Sequence, residues 1–312
     1  MNAKKTNLLF LIIILLTYAL IVLINLLYYT DGYVPSIIMN NFLSEMTGFL
    51  PAIAFILISG DRFSSVVPFK KIRLLTILLI PVVIMLVFPM VAFINSISLL
   101  FVDNTALSIS GQILSEPMWK MLLSIGIFGP FVEEFIFRGL FFHGYSKSGN
   151  IFPAIILSSV CFALMHMNIN QAAYAFFIGV VFALMTYATG SVLTSFIAHA
   201  LFNSFEVCMM YFSEKMSAGS LQVAQDMLSS ASGKKELLST MAALICPALV
   251  CAGVALVIIY QMANLEGRAA LLKRLKDPES RKEPLITIPL VAAFVLCAAY
   301  MIYTAVLTAM MR

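Results

Sequence analysis

"FGPFVEEFIFRGLFF", residues 128–142, reads as part of a membrane-spanning helix, yet it holds three formal charges, Glu133, Glu134 and Arg138. The residues around it decide the solvent. The chain is 62% hydrophobic and 11% charged, against roughly 25% charged for an ordinary soluble protein. A helix crosses a bilayer with about 20 apolar residues, and several separate runs reach that length. The sequence therefore predicts an all-α, polytopic transmembrane helix bundle of about eight to nine spans, embedded in a lipid bilayer.

The apolar runs lie near 7–28, 42–60, 72–97, 118–142, 151–170, 171–189, 191–212, 240–262 and 286–311. The first follows Lys4 and Lys5 as a signal peptide would. It is longer than the about 7–15 apolar residues of such a peptide and no small-residue cleavage site follows it, so an uncleaved helix is expected. Basic residues crowd three places: Lys4 and Lys5, then Arg62, Lys70, Lys71 and Arg73, then Arg268, Lys273, Arg274, Lys276, Arg281 and Lys282. Loops 29–41 and 98–117 have no lysine or arginine. Nine alternating spans from a cytoplasmic N-terminus put all three clusters inside, as the positive-inside rule requires. Only loop 213–239, with Lys215, Lys234 and Lys235, dissents. Basic loops that set topology account for the net charge of +4 without any nucleic-acid partner. All five cysteines lie in apolar runs and imply no disulfide framework.

An ionised side chain near the centre of a membrane helix costs about 2.5–3.5 kcal/mol on insertion scales, so such groups pair or face a wet cavity. Glu134 and Arg138, four residues apart, share a helix face and can neutralise each other. Glu133 is turned about 100° from Glu134 and is left without that partner, which suits a group that takes up and returns protons. Gly126, Gly129 and Pro130 precede it, and a proline removes an amide donor and kinks a helix. His166 in "FALMH" and His199 in "HALFN" also fall in apolar runs, and His199 shares a face with Asn203. His143 falls at a helix end, where a surface or capping role is expected. Glu206 is seven residues after His199 and reads either as a further cavity carboxylate or as a glutamate reaching for the interface.

"EEFIFR", "FALMH" and "HALFN" together resemble the EExxxR, FxxxH and HxxxN/D motifs of the CPBP (Abi) family, in order and on successive helices. That family joins type II CAAX prenyl endopeptidases with bacteriocin-processing and immunity proteins. The resemblance covers about 118–212, dividing the chain into N-terminal helices (1–117), a CPBP-like catalytic core (118–212), and an outer loop with C-terminal helices (213–312). It implies an intramembrane endopeptidase acting on a membrane-associated peptide or protein, in a bacterial plasma membrane if the chain is bacterial. Glu133 would activate a water with help from His166. His199 and Asn203 would polarise the scissile carbonyl and hold the oxyanion, while Glu134 and Arg138 would hold the helix in place. Metal use stays open: Glu133, His166 and His199 could furnish a zinc site with an open position, but no HExxH is present and Asn203 suits an oxyanion better than a metal. Two other classes compete. A non-catalytic scaffold or immunity protein could retain the fold, and a proton-coupled transporter could use buried glutamate and histidine, though no inverted repeat supports it.

Overall fold

The computed structural model describes residues 2–147, 149, 151–272 and 284–310, and every regular element among them is helical. The expected all-α bundle is what is found. We number the long helices α1 (Ala3–Asp31), α2 (Ile37–Ser59), α3 (Leu74–Ser98), α4 (118–146), α5 (Ile151–Met165), α6 (Ile169–Thr189), α7 (Val192–Met216), α8 (Ala231–Leu265) and α9 (Ile288–Met310). Each expected span falls on one of them. Seven are long and apolar enough to cross a membrane by themselves; α5 is shorter, and α4 runs through five contiguous segments of changing helical pitch.

The break between α5 and α6 comes earlier than the apolar pattern suggested. The span expected from the sequence runs to residue 170, but α5 ends at Met165, and Met167 takes a left-handed φ of 54°. Asn168 then caps α6, its side chain accepting from the Gln171 amide at 2.7 Å. This sharp turn puts His166 just past a helix end. At the other end of α6, Gly190 takes φ 73°, and a Cβ there would lie 2.8 Å from the Arg268 guanidinium carbon. The positive φ is what favours glycine here.

Polar ties align the helices along the bundle axis. Asn7 of α1 donates to the Leu285 carbonyl at 2.8 Å and to Thr287 Oγ1 at 2.9 Å, and Tyr145 of α4 donates to Asn7 Oδ1 at 2.8 Å. Glu266 accepts from the Arg73 amide and the Thr76 hydroxyl, joining the end of α8 to the start of α3. The Val192 amide donates to the Pro68 carbonyl, and the Lys70 amide to Ser191 Oγ, tying the start of α7 to the same loop. These contacts gather Lys4, Lys5, Lys70, Lys71, Arg73 and Arg268 at one end, as nine alternating spans require. Lys273, Arg274, Lys276, Arg281 and Lys282 lie outside the described residues.

Two apolar cores fill the bundle. One joins α1, α2, α4, α5 and α9 through side chains such as Phe10, Ile56, Phe137, Phe141 and Phe162. The other joins α3, α6, α7 and α8 through Ile80, Val83, Phe182, Phe202 and Ile259. Charged and imidazole groups occupy the seam between them. Arg138 lies over the Phe162 ring of the first core at 4.2 Å and the Phe182 ring of the second at 5.3 Å, and His199 packs against the same two rings.

Candidate active site

The site begins with the backbone of α4. Residues Leu122–Phe128 and Phe135–Phe141 wind as π-helix on either side of the α-helical Gly129–Glu134. In the first stretch the Gly129 amide donates to the Ser124 carbonyl, five residues back. The next bond in that register would run from residue 130 to the Ile125 carbonyl, but Pro130 has no N–H to give. The Asn203 side-chain amide supplies the missing donor, 3.1 Å from the Ile125 oxygen. The Asn41 amide, from α2, reaches the neighbouring Ser124 carbonyl at 3.3 Å and Ser124 Oγ at 3.1 Å. The kink anticipated from Gly126, Gly129 and Pro130 is thus a change of helical register, with its freed carbonyl satisfied by a neighbouring helix. Gly126 permits the approach, because a Cβ there would sit 2.5 Å from Ser204 Oγ on α7.

Glu134 and Arg138 form the expected pair, Nη1 to Oε1 at 2.8 Å, with side chains essentially inaccessible. Arg138 Nη2 also donates to the Gly179 carbonyl at 3.3 Å, anchoring α4 to α6. The same Oε1 of Glu134 accepts from His199 Nδ1 at 3.0 Å. On its other side, His199 Nε2 faces Glu133 Oε2 at 3.4 Å. Here the structure corrects the sequence reading. Glu133 is not stranded, because a single imidazole on α7 bridges both carboxylates of the Glu-Glu pair. Two carboxylates about 100° apart on one helix can share a ring that has a nitrogen on each side.

His166 Nδ1 lies 2.9 Å from the Phe162 carbonyl. A carbonyl only accepts, so Nδ1 bears the proton in this contact and the neutral ring keeps an acceptor at Nε2. Depth is consistent. Glu133 precedes Ser146 by thirteen residues and His166 follows Ile151 by fifteen, or about 20 and 22 Å along two successive helices.

Glu133, His166, His199 and Asn203 all line one cavity of about 1000 Å³. Glu134 and Arg138 do not touch it. His143 is away from the cavity, its Nδ1 within 2.8 Å of the Arg138 carbonyl and 2.9 Å of Gly139's, in the second π-helical stretch. The ring thus meets carbonyls inside α4 rather than capping a helix end.

Two further carboxylates line the cavity. Glu206 does so from α7, beside Tyr174. Glu45 does so from α2, with Oε1 3.4 Å from where a Cβ on Gly129 would stand. Glu45 gave no motif signal. It sits in "NNFLSEMTGF" near the start of an apolar run, where a carboxylate reads as an interfacial residue.

Glu133, His166 and His199 do not fit a zinc ion as they stand. Among the described residues no three His, Cys, Asp or Glu side chains converge as a metal would need. No step below is routed through a metal.

The site agrees with what the chain is similar to. Residues 115–205 match the family model "Type II CAAX prenyl endopeptidase Rce1-like". A Bacillus subtilis (strain 168) protein described as "Putative membrane peptidase YdiL" is 32% identical over 89 residues, which is 28% of this chain and 36% of that protein. The matched region thus spans about a third of that relative's length. No solved structure matches the chain. The resemblance read from the three motifs is thus matched over the segment that bears them, residues 115–205, by a type II CAAX prenyl endopeptidase-like family model and a membrane-peptidase relative.

Proposed function

We propose that this protein is an intramembrane endopeptidase that hydrolyses a peptide bond of a membrane-associated peptide or protein. One observation carries the reading: Glu133 and His199, with Glu134 behind the ring, form part of the wall of a large cavity inside the helix bundle, with His166 and Asn203 lining the same cavity. Hydrolysis within a membrane needs water, a base and oxyanion donors sheltered from lipid. This cavity offers groups of each kind.

In the proposed reaction a water lies between Glu133 and the acceptor Nε2 of His166. Glu133 takes one proton as the water oxygen attacks the scissile carbonyl carbon. The resulting oxyanion accepts from Nε2–H of His199, acting in this step as an imidazolium whose Nδ1–H stays on Glu134, and from the second N–H of the Asn203 amide, the first being engaged by Ile125. Glu133 then returns its proton to the leaving nitrogen as the C–N bond breaks, leaving a new carboxyl and a new amino terminus. Glu134 keeps the imidazole oriented through Nδ1, and Arg138 balances the charge of Glu134. A substrate entering from the lipid fits the seven helices long enough to span a membrane. The positive-inside pattern favours a cytoplasmic N-terminus.

Donors of this kind are worth about 3–4 kcal/mol. Asn203→Ala should therefore lower kcat by about 10²–10³-fold on any peptide the protein cleaves, with KM changed little. A fall confined to KM would move Asn203 from the oxyanion to substrate binding. Activity should also persist after exhaustive dialysis against a zinc chelator. Loss that added zinc restores would put a metal into the mechanism.

A further inference from the structure

The cavity occupies one end of the bundle. Consecutive spans run in alternate directions, so the later halves of α1, α3, α5, α7 and α9 lie beside the earlier halves of α2, α4 and α6. The lining comes from these parts: 17–24 of α1, 40–45 of α2, Phe88 of α3, 171–178 of α6, Tyr300 and Thr304 of α9, and the connection at 105–113. Glu133 and His199, nearer the middle of their helices, form the inner end. The lining residues that are themselves exposed are Asn40, Ala106, Phe205, Glu206 and Met209. All five lie beyond the reacting groups in the same direction, so they mark the rim.

The other end is closed. Among the described residues, nothing from 46–87, 134–161 or 179–198 lines the cavity. Behind Glu133 and His199 the space is filled by Arg138, Leu140, Phe141, Tyr145, Thr194 and Ser195, each at most 1% exposed. Beyond that packing lie the basic residues. The Lys70 amide bonds Ser191 Oγ, the Arg73 amide bonds Glu266, and Arg268 reaches the Tyr187 carbonyl, all at the closed end. Clustered lysine and arginine mark the cytoplasmic ends of membrane helices. The open rim therefore faces the opposite side of the bilayer.

We propose that the cavity takes water and substrate from the non-cytoplasmic face, and that its substrates are membrane-anchored peptides whose cleavable bond is presented on that side. The proposal rests on the peptidase reading of the same cavity and names its substrate class; a chain tethered only to the cytoplasmic leaflet falls outside it. The rim also sets how the peptide must enter. Asn41, next to Asn40, bonds Ser124 Oγ at 3.1 Å, and Ser124 precedes Glu133 by nine residues, or about 12–14 Å. An extended chain covers that depth in about four residues at about 3.3 Å each. A substrate helix would have to unwind over that stretch, and Asn40, Ser44 and Gln171 line the cavity with groups able to bond the freed backbone.

The test reads the opening and the chemistry separately. Ala106→Cys at the rim, Ala175→Cys inside the cavity and Arg62→Cys at the closed end are made in the full-length protein. Each is exposed to a small, charged, membrane-impermeant methanethiosulfonate in right-side-out and in inverted membrane vesicles, with the unaltered protein giving the background of the five native cysteines. Ala106→Cys and Ala175→Cys should react at least tenfold faster in right-side-out vesicles, and Arg62→Cys at least tenfold faster in inverted ones. The reverse pattern would overturn the proposal, as would an Ala175→Cys that reacts only from the side on which Arg62→Cys does, or from neither. If Ala175→Cys fails to fold, Gln171→Cys, one turn earlier on the same wall, takes its place. Peptide termini that depend on Glu133 are then mapped by mass spectrometry onto membrane proteins of known orientation. They should fall on the non-cytoplasmic side, and termini on the cytoplasmic side would overturn the substrate class. The expected reactivity with no Glu133-dependent terminus would uphold the direction of opening and sink the peptidase reading alone.

Discussion

Glu133→Gln should abolish most hydrolysis, lowering kcat by about 10²–10⁴-fold, the usual contribution of a positioned general base. The substitution keeps the shape of the side chain and removes its ability to take a proton. Folding should survive, because the amide can still meet His199 Nε2 and the buried Glu134–Arg138 pair is untouched. Substrate affinity should change by only a few-fold, since the proposed role of Glu133 is exercised on the way to the transition state. Kinetics on vesicle-reconstituted protein, with binding measured in parallel, separates the two quantities. A loss of affinity equal to the loss in kcat/KM, with kcat unchanged, would make Glu133 a binding group.

Arg138→Ala should have the largest effect on stability. Removing one member of a buried ion pair leaves the other charge uncompensated and costs about 3–5 kcal/mol. Here the orphaned carboxylate would be Glu134, inaccessible to solvent and already committed to His199. The loss also removes a cation stacked on Phe162 and Phe182 and the bond to the Gly179 carbonyl, so the two cores would separate at their seam. A double variant, Arg138→Met with Glu134→Gln, should recover much of the stability. Its amide can still accept from His199 Nδ1, and no charge is left buried. Thermal unfolding in detergent micelles distinguishes these outcomes. If Arg138→Ala melts with the unaltered protein, the pair contributes nothing to the fold.

The charged residues were legible in the sequence because lipid makes charge expensive. Glu133, Glu134, Arg138, His166 and His199 stand out against phenylalanine and leucine, and helical spacing alone pairs Glu134 with Arg138. The helices were legible for the same reason, down to the nine apolar runs. Hydrogen-bond register was not. A π-helical turn has nearly the side-chain composition of an α-helical one, so Gly126, Gly129 and Pro130 marked a disturbance without saying that Asn203 would satisfy it. The bridging of both glutamates by His199 was also hidden, since it depends on the rotation of α7 against α4. Glu45 escaped for a third reason: near the start of a run, a carboxylate looks solvated, and only the packing of α2 against Gly129 brings it to the cavity.

The most direct test of the account compares peptide termini, by mass spectrometry, in membranes containing the unaltered protein and in membranes containing Glu133→Gln at matched expression. The account predicts new amino and carboxyl termini in membrane-associated peptides with the unaltered protein, absent with the variant. Identical termini in the two samples, with both proteins folded and candidate substrates present, would contradict it. The charges of "FVEEFIFRG" would then be structural, serving a scaffold that keeps the fold without the chemistry.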